Sequence, residues 1–134
     1  NNSASDNLEQ VFSPESTKRI AQILDSVASD NGSGYRAVID GYSVAGKTGT
    51  AEMVIDGKYS KDGAKRTYFI GFSPAENPKY VMAVRLDYPK KCFVSWDPTM
   101  RNRCEGSNSA SMAFQKAMKR ILINDPDIKS KFEG

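Results

Sequence analysis

Apolar residues recur at Ile20, Ile23, Leu24 and Val27, the i, i+3, i+4, i+7 spacing of one helical face. Ser13-Pro14-Glu15 precedes them as a helix start: a hydroxyl N-cap, a proline in the first turn, and an acid favoured by the helix dipole. Asn31-Gly32-Ser33-Gly34 predicts the stop. The pattern then changes. Tyr42 to Ile55 reads as a strand ended by the turn Asp56-Gly57, and Lys58 to Arg66 as a polar, flexible connection. Arg66 to Phe72 and Tyr80 to Leu86 are two more strands, joined by the Pro-rich Ser73 to Pro78. Past Pro89 an irregular stretch carries Cys92, Trp96 and Cys104. A closing helix is predicted from about Ser109 to Leu122, with Phe114, Ala117, Met118 and Ile121 on its apolar face.

The order is helix, three strands, helix. Strands joined by short turns pair antiparallel, and helices must cover a face of such a sheet. The predicted class is α+β: a three-stranded antiparallel sheet with helices packed on one face. A chain of 134 residues fits one domain with a modest core, and 39% hydrophobic with 26% charged residues is ordinary globular composition. No apolar run approaches the roughly 20 residues of a membrane helix. The start, Asn1 to Gln10, is polar and lacks the cationic and apolar parts of a signal peptide. That suggests either a cytosolic protein or a piece of a longer one, with residues 1–12 expected to be flexible. A net charge of +3 from scattered Lys and Arg gives no reason to expect a nucleic-acid partner.

The chain has no histidine. Ser-His-Asp and Cys-His catalysis are excluded, and proton transfer falls to lysine, carboxylate, tyrosine or hydroxyl groups. Cys92 and Cys104 lack metal-site spacing, so neither a metal nor any other cofactor is expected. In an oxidising compartment the two would close a loop worth roughly 3 kcal/mol; in a cytosol they would be free thiols.

Two motifs overlap. Gly41-Tyr42-Ser43-Val44-Ala45-Gly46-Lys47-Thr48 matches the phosphate-cradling G-x-x-x-x-G-K-[ST] loop. That loop must lead directly into a long helix, and here β-branched residues run on to Asp56-Gly57. A nucleotide hydrolase is therefore the remote alternative. The second motif is Lys47-Thr48-Gly49-Thr50, which contains the K-T-G of penicillin-binding proteins and β-lactamases. Three letters alone equally fit a strand with an exposed lysine, and the surroundings decide. Ala45-Gly46-Lys47-Thr48-Gly49-Thr50-Ala51-Glu52, then Phe69-Ile70-Gly71-Phe72-Ser73-Pro74, then Val81-Met82-Ala83-Val84 resemble the transpeptidase domain of class B penicillin-binding proteins. Gly34-Tyr35-Arg36-Ala37 before the motif is similar to that family. So is Gly106 to Phe114 opening the last helix, although Met112 stands where a proline is common.

The resemblance implies the C-terminal portion of a penicillin-binding protein/β-lactamase-like transpeptidase domain, with Lys47 beside the serine of an S-x-N motif. Thr48 and Thr50 would meet the terminal carboxylate of a peptidoglycan stem peptide or a β-lactam. The Thr50 N–H would be an oxyanion donor, and Gly49 would let the ligand approach the backbone. No serine is followed three residues later by lysine, so the S-x-x-K nucleophile is absent from the chain. Ser5-Asp6-Asn7 and Ser29-Asp30-Asn31 spell S-D-N, but the family places that motif on the order of a hundred residues before K-T-G. The N-terminal half of the domain, with both missing motifs, is therefore an expected partner, and the chain alone is expected to be inactive. Tyr80 to Leu86 would pair with a strand of that half and, left open, would invite self-association. The resemblance also implies the extracytoplasmic face of a bacterial membrane, a membrane-anchored parent, and a compartment favouring a Cys92–Cys104 disulfide. The link Lys90 to Arg103 is longer than the family suggests. A β-lactamase and a non-catalytic β-lactam-sensing domain remain as alternatives.

Overall fold

The computed structural model describes residues 10–60, 64–90, 92 and 104–132. Most of the expected flexible start (1–12), the first S-D-N and Trp96 lie outside them. Helix α1 spans Pro14–Val27, with Ser13 as N-cap, its hydroxyl accepting from the Ser16 N–H at 3.1 Å. It ends before the predicted stop; Gly34 N–H instead closes back on the Val27 carbonyl at 2.8 Å. Strand β1 is Ala45–Glu52, β2 Val54–Ile55, β3 Lys58–Tyr59, β4 Lys65–Ser73 and β5 Tyr80–Asp87, and helix α2 is Ala110–Ile123. Within the described residues, no helix is long and apolar enough to cross a membrane.

The main sheet has the order β1-β4-β5, antiparallel throughout. The fold is α+β, as the pattern predicts, with two corrections in the long first strand. Gly41 takes a positive φ of 84° and Tyr42 N–H turns back to Ile39 O at 3.0 Å, so the strand begins only at Ala45. Beyond Glu52 the strand breaks at Met53. Val54–Ile55, expected to continue it, pair as β2 in a short hairpin with β3, Lys58–Tyr59, at the start of the connection expected to be flexible from Lys58 to Arg66. Asp56 and Gly57 both have positive φ, 51° and 75°, the turn that matches the twist of paired strands.

The core forms where alternate residues of β4 meet α2. Thr67, Phe69, Gly71 and Ser73 are buried, while Ile70 is exposed. Phe69 packs on Phe114 with ring centroids 4.6 Å apart. Gly46 and Gly71, paired across β1 and β4, make room for the Phe69 ring, since a Cβ on either would lie within 3 Å of it. Helix α2 buries Ala110, Ser111, Phe114, Met118 and Leu122. Ala117, expected on that face, is exposed, because the stripe advances by i+4 through 114, 118 and 122. Helix α1 differs: none of its residues is buried, Leu24 and Val27 are half-covered, and Ile20 and Ile23 remain over half exposed.

Candidate active-site strand

Strand β1 lies at one side of the sheet, and among the described residues no strand pairs beyond it. Antiparallel partners alternate between hydrogen-bonded and non-bonded pairs. Glu52 stands opposite Lys65, and one step on, Met53 N–H donates to Ala64 O at 2.9 Å. The odd-numbered residues of β1 therefore bond to β4. Thr48 and Thr50 direct their backbone N–H and C=O groups the other way, toward the open edge.

Lys47 is exposed and bends to that same edge, its Nζ donating to the Thr48 carbonyl at 3.0 Å. An ammonium group and two outward-facing peptide units thus share one short stretch of backbone, suited to an anionic ligand in extended form. The Thr48 hydroxyl lies 3.4 Å from that of Ser33, in the loop after α1. Gly49 keeps one face of the strand bare: an added Cβ would meet nothing closer than Tyr68 Cβ at 3.4 Å. The protein's own packing therefore does not require glycine there. Thr50 turns its side chain toward the α2 layer, where its Oγ1 accepts from Gly106 N–H at 3.0 Å.

Sequence reasoning did not single out Ser33 or Gly106. Each reaches β1 from a distant turn; Gly106 lies in the segment that resembles the family and Ser33 in the predicted helix stop, but the sequence assigned neither a role at β1. The G-x-x-x-x-G-K-[ST] match leads into β1 and not into a helix, so no helix N-terminus meets its glycines. Ser29 of the second S-D-N is engaged locally, with its hydroxyl donating to Ser26 O at 2.6 Å and its carbonyl accepting from Gly32 N–H at 2.9 Å. Cys92 and Cys104 are joined as a disulfide, Cα atoms 5.4 Å apart.

Two carboxylates away from β1 are held by neighbouring side chains. Arg85 and Arg66 both hold Asp87, whose carboxyl is lowered to about 2 by those two hydrogen bonds. Ser43 donates to Glu76 and accepts from Ala75 N–H at 3.0 Å, fixing the β4–β5 turn against the entry to β1. The Ser43 bond also lowers the Glu76 carboxyl below its ordinary value.

The sequence model of the penicillin binding protein transpeptidase domain matches residues 3–119. Stage V sporulation protein D of Bacillus subtilis is 46% identical over 82 residues, 61% of this chain and 12% of that protein. The transpeptidase domain of the FtsI4 D,D-transpeptidase from Legionella pneumophila superposes with a TM-score of 0.65 at 32% identity, covering 82% of this chain and 37% of that one. Penicillin-binding protein 3 of Mycobacterium tuberculosis, in complex with ampicillin, gives 0.59 at 27% identity, covering 84% and 27%. The chain thus spans between about an eighth and somewhat over a third of these relatives. With a family match over most of its length and the same fold in solved relatives, the chain belongs to the penicillin-binding protein transpeptidase family.

Proposed function

We propose that this chain forms the K-T-G wall of a peptidoglycan D,D-transpeptidase that acts on the extracytoplasmic face of a bacterial membrane. The single observation that most supports it is the open edge of β1, where the Lys47 ammonium and the outward Thr50 peptide group lie together. A stem peptide or β-lactam lies along this edge as an added strand. Its terminal carboxylate meets the Thr48 and Thr50 hydroxyls. When a serine attacks the scissile carbonyl, the oxygen gains negative charge, and the Thr50 N–H is one of the two donors that stabilise it. The amide C–N bond then breaks, its nitrogen taking up the proton the serine gave up and departing with the terminal residue of the stem. The acyl group held on the serine passes to an acceptor amine, restoring the serine hydroxyl. Lys47 places its positive charge beside the proton-transferring serine of an S-x-N motif, a role that histidine fills in other acyl transferases.

Neither serine belongs to these 134 residues. The remaining part of the same domain supplies them and covers the open side of β5 together with the face bearing Ile70 and Val81, which are 53% and 75% exposed. Labelling with a fluorescent penicillin tests the reading. The full-length protein should take up label, Lys47→Ala in it should lower labelling by about 100-fold or more, and the 134-residue chain alone should remain unlabelled. A labelled band at the mass of the short chain, or an unlabelled full-length protein, would overturn it.

A further inference from the structure

The turn leading into α2, residues 104–109, lies against β1 and β4. At its start Cys104 is buried, and the disulfide to Cys92 ties it to the chain shortly after the end of β5. Over the central strand, Ser109 Oγ donates to the buried Thr67 Oγ1 at 2.9 Å. At β1, Gly106 N–H donates to Thr50 Oγ1 at 3.0 Å. The contact is also tight in volume. A Cβ on Gly106 would stand 2.7 Å from the carbonyl oxygens of both Gly49 and Tyr68 and 3.0 Å from Gly49 N. Backbone atoms cannot yield as a flexible side chain does, so only glycine fits this seat. Residues 104–109 are thus bonded to β1 and β4, and the disulfide ties the start of the turn to Cys92, in the chain that follows β5.

We propose that Gly106 is a positioning residue for Thr50, and that the Cys92–Cys104 disulfide anchors it, making reactivity of the β1 edge dependent on the oxidised cystine. The inference rests on the role of Thr50 proposed above. Thr50 sits on a strand bonded from one side only, so β4 alone does not fix the direction of its outward N–H. Oxyanion donors act only within a few tenths of an ångström of the developing charge. The Gly106 bond supplies the missing constraint from the face of the sheet. Reduction of the cystine takes two electrons and two protons from a dithiol, which becomes a disulfide itself, and leaves two thiols. The turn that carries Gly106 then loses its covalent tie to Cys92.

The test uses the full-length protein, with acylation by a fluorescent penicillin resolved into the binding constant Kd and the acylation rate k2. Gly106→Ala, the double variant Cys92→Ser/Cys104→Ser, and the unaltered protein treated with dithiothreitol should each lower k2 by about 10- to 100-fold. Kd should change far less, because Lys47 and Thr48 still meet the carboxylate. Amide exchange at Gly106, whose N–H is held by Thr50 Oγ1, should quicken on reduction. Unchanged k2 in Gly106→Ala, or in the reduced protein, overturns the inference while leaving the transpeptidase reading intact. If the double variant fails to fold, the other two arms decide. If the unaltered protein is not acylated at all, the transpeptidase reading falls, and Gly106 amide exchange indifferent to reduction overturns the anchoring on its own terms.

Discussion

Asp125, just past α2, is nearly covered and takes three hydrogen-bonding partners. Lys79 Nζ lies 2.7 Å from Oδ2, Tyr80 OH donates to Oδ2 at 2.6 Å, and Asp127 N–H donates to Oδ1 at 3.0 Å. These bonds, led by Lys79, lower its carboxyl to about 2, against about 3.9 in an unfolded chain. Folding therefore favours the charged form. Its contribution is complete above about pH 4 and disappears as pH falls toward 2. Asp125→Asn should lower Tm at pH 7 and flatten the acid-side loss, with the two proteins converging near pH 2. Thermal unfolding scanned from pH 2 to 7 reads this, and parallel curves would contradict it. The same scale shows what the sequence can reveal. Lys47-Thr48-Gly49-Thr50 stands out in the sequence because its residues are contiguous, and the structure places them on one strand. The Gly106 contact to Thr50 spans a separation of 56 residues and leaves no mark in linear order.

Helices α1 and α2 carry similar apolar periodicity, yet only α2 is seated in a core. Phe114, Met118 and Leu122 are fully buried, whereas Ile20 and Ile23 are more than half exposed. Leu122→Ala should cost about 2–5 kcal/mol, and Ile20→Ala within about 0.5 kcal/mol. Urea unfolding of the two variants measures the difference, and comparable losses would mean that α1 packs more deeply than described. Periodicity finds a helix and its apolar stripe. It cannot say which stripe is matched by a partner, because that depends on β4 offering Phe69 to α2. The β2–β3 hairpin was missed for a related reason: two residues per strand are too few to show alternation, although Asp56-Gly57 marked its turn.

At the scale of the whole molecule, β1 and β5 each pair with β4 alone among the described residues, leaving two sheet edges. Val81, on β5, is 75% exposed and has Phe72 as its partner across β4. Open strands with exposed apolar side chains template further pairing. The isolated chain should therefore self-associate at high concentration, and Val81→Lys should reduce it. Sedimentation velocity showing a clean monomer at all concentrations would sink this expectation. The arrangement of the sheet was legible from strand order and turn lengths. How far its faces remain uncovered was not, since burial belongs to whatever else packs there. One consequence concerns the packing beneath β1. Phe114 on α2 touches Phe69, and the Phe69 ring fills the space left by Gly46, the residue before Lys47. Under the proposed function, resizing Phe114 would therefore shift the floor beneath Lys47 and change acylation while every residue along the β1 edge stayed the same.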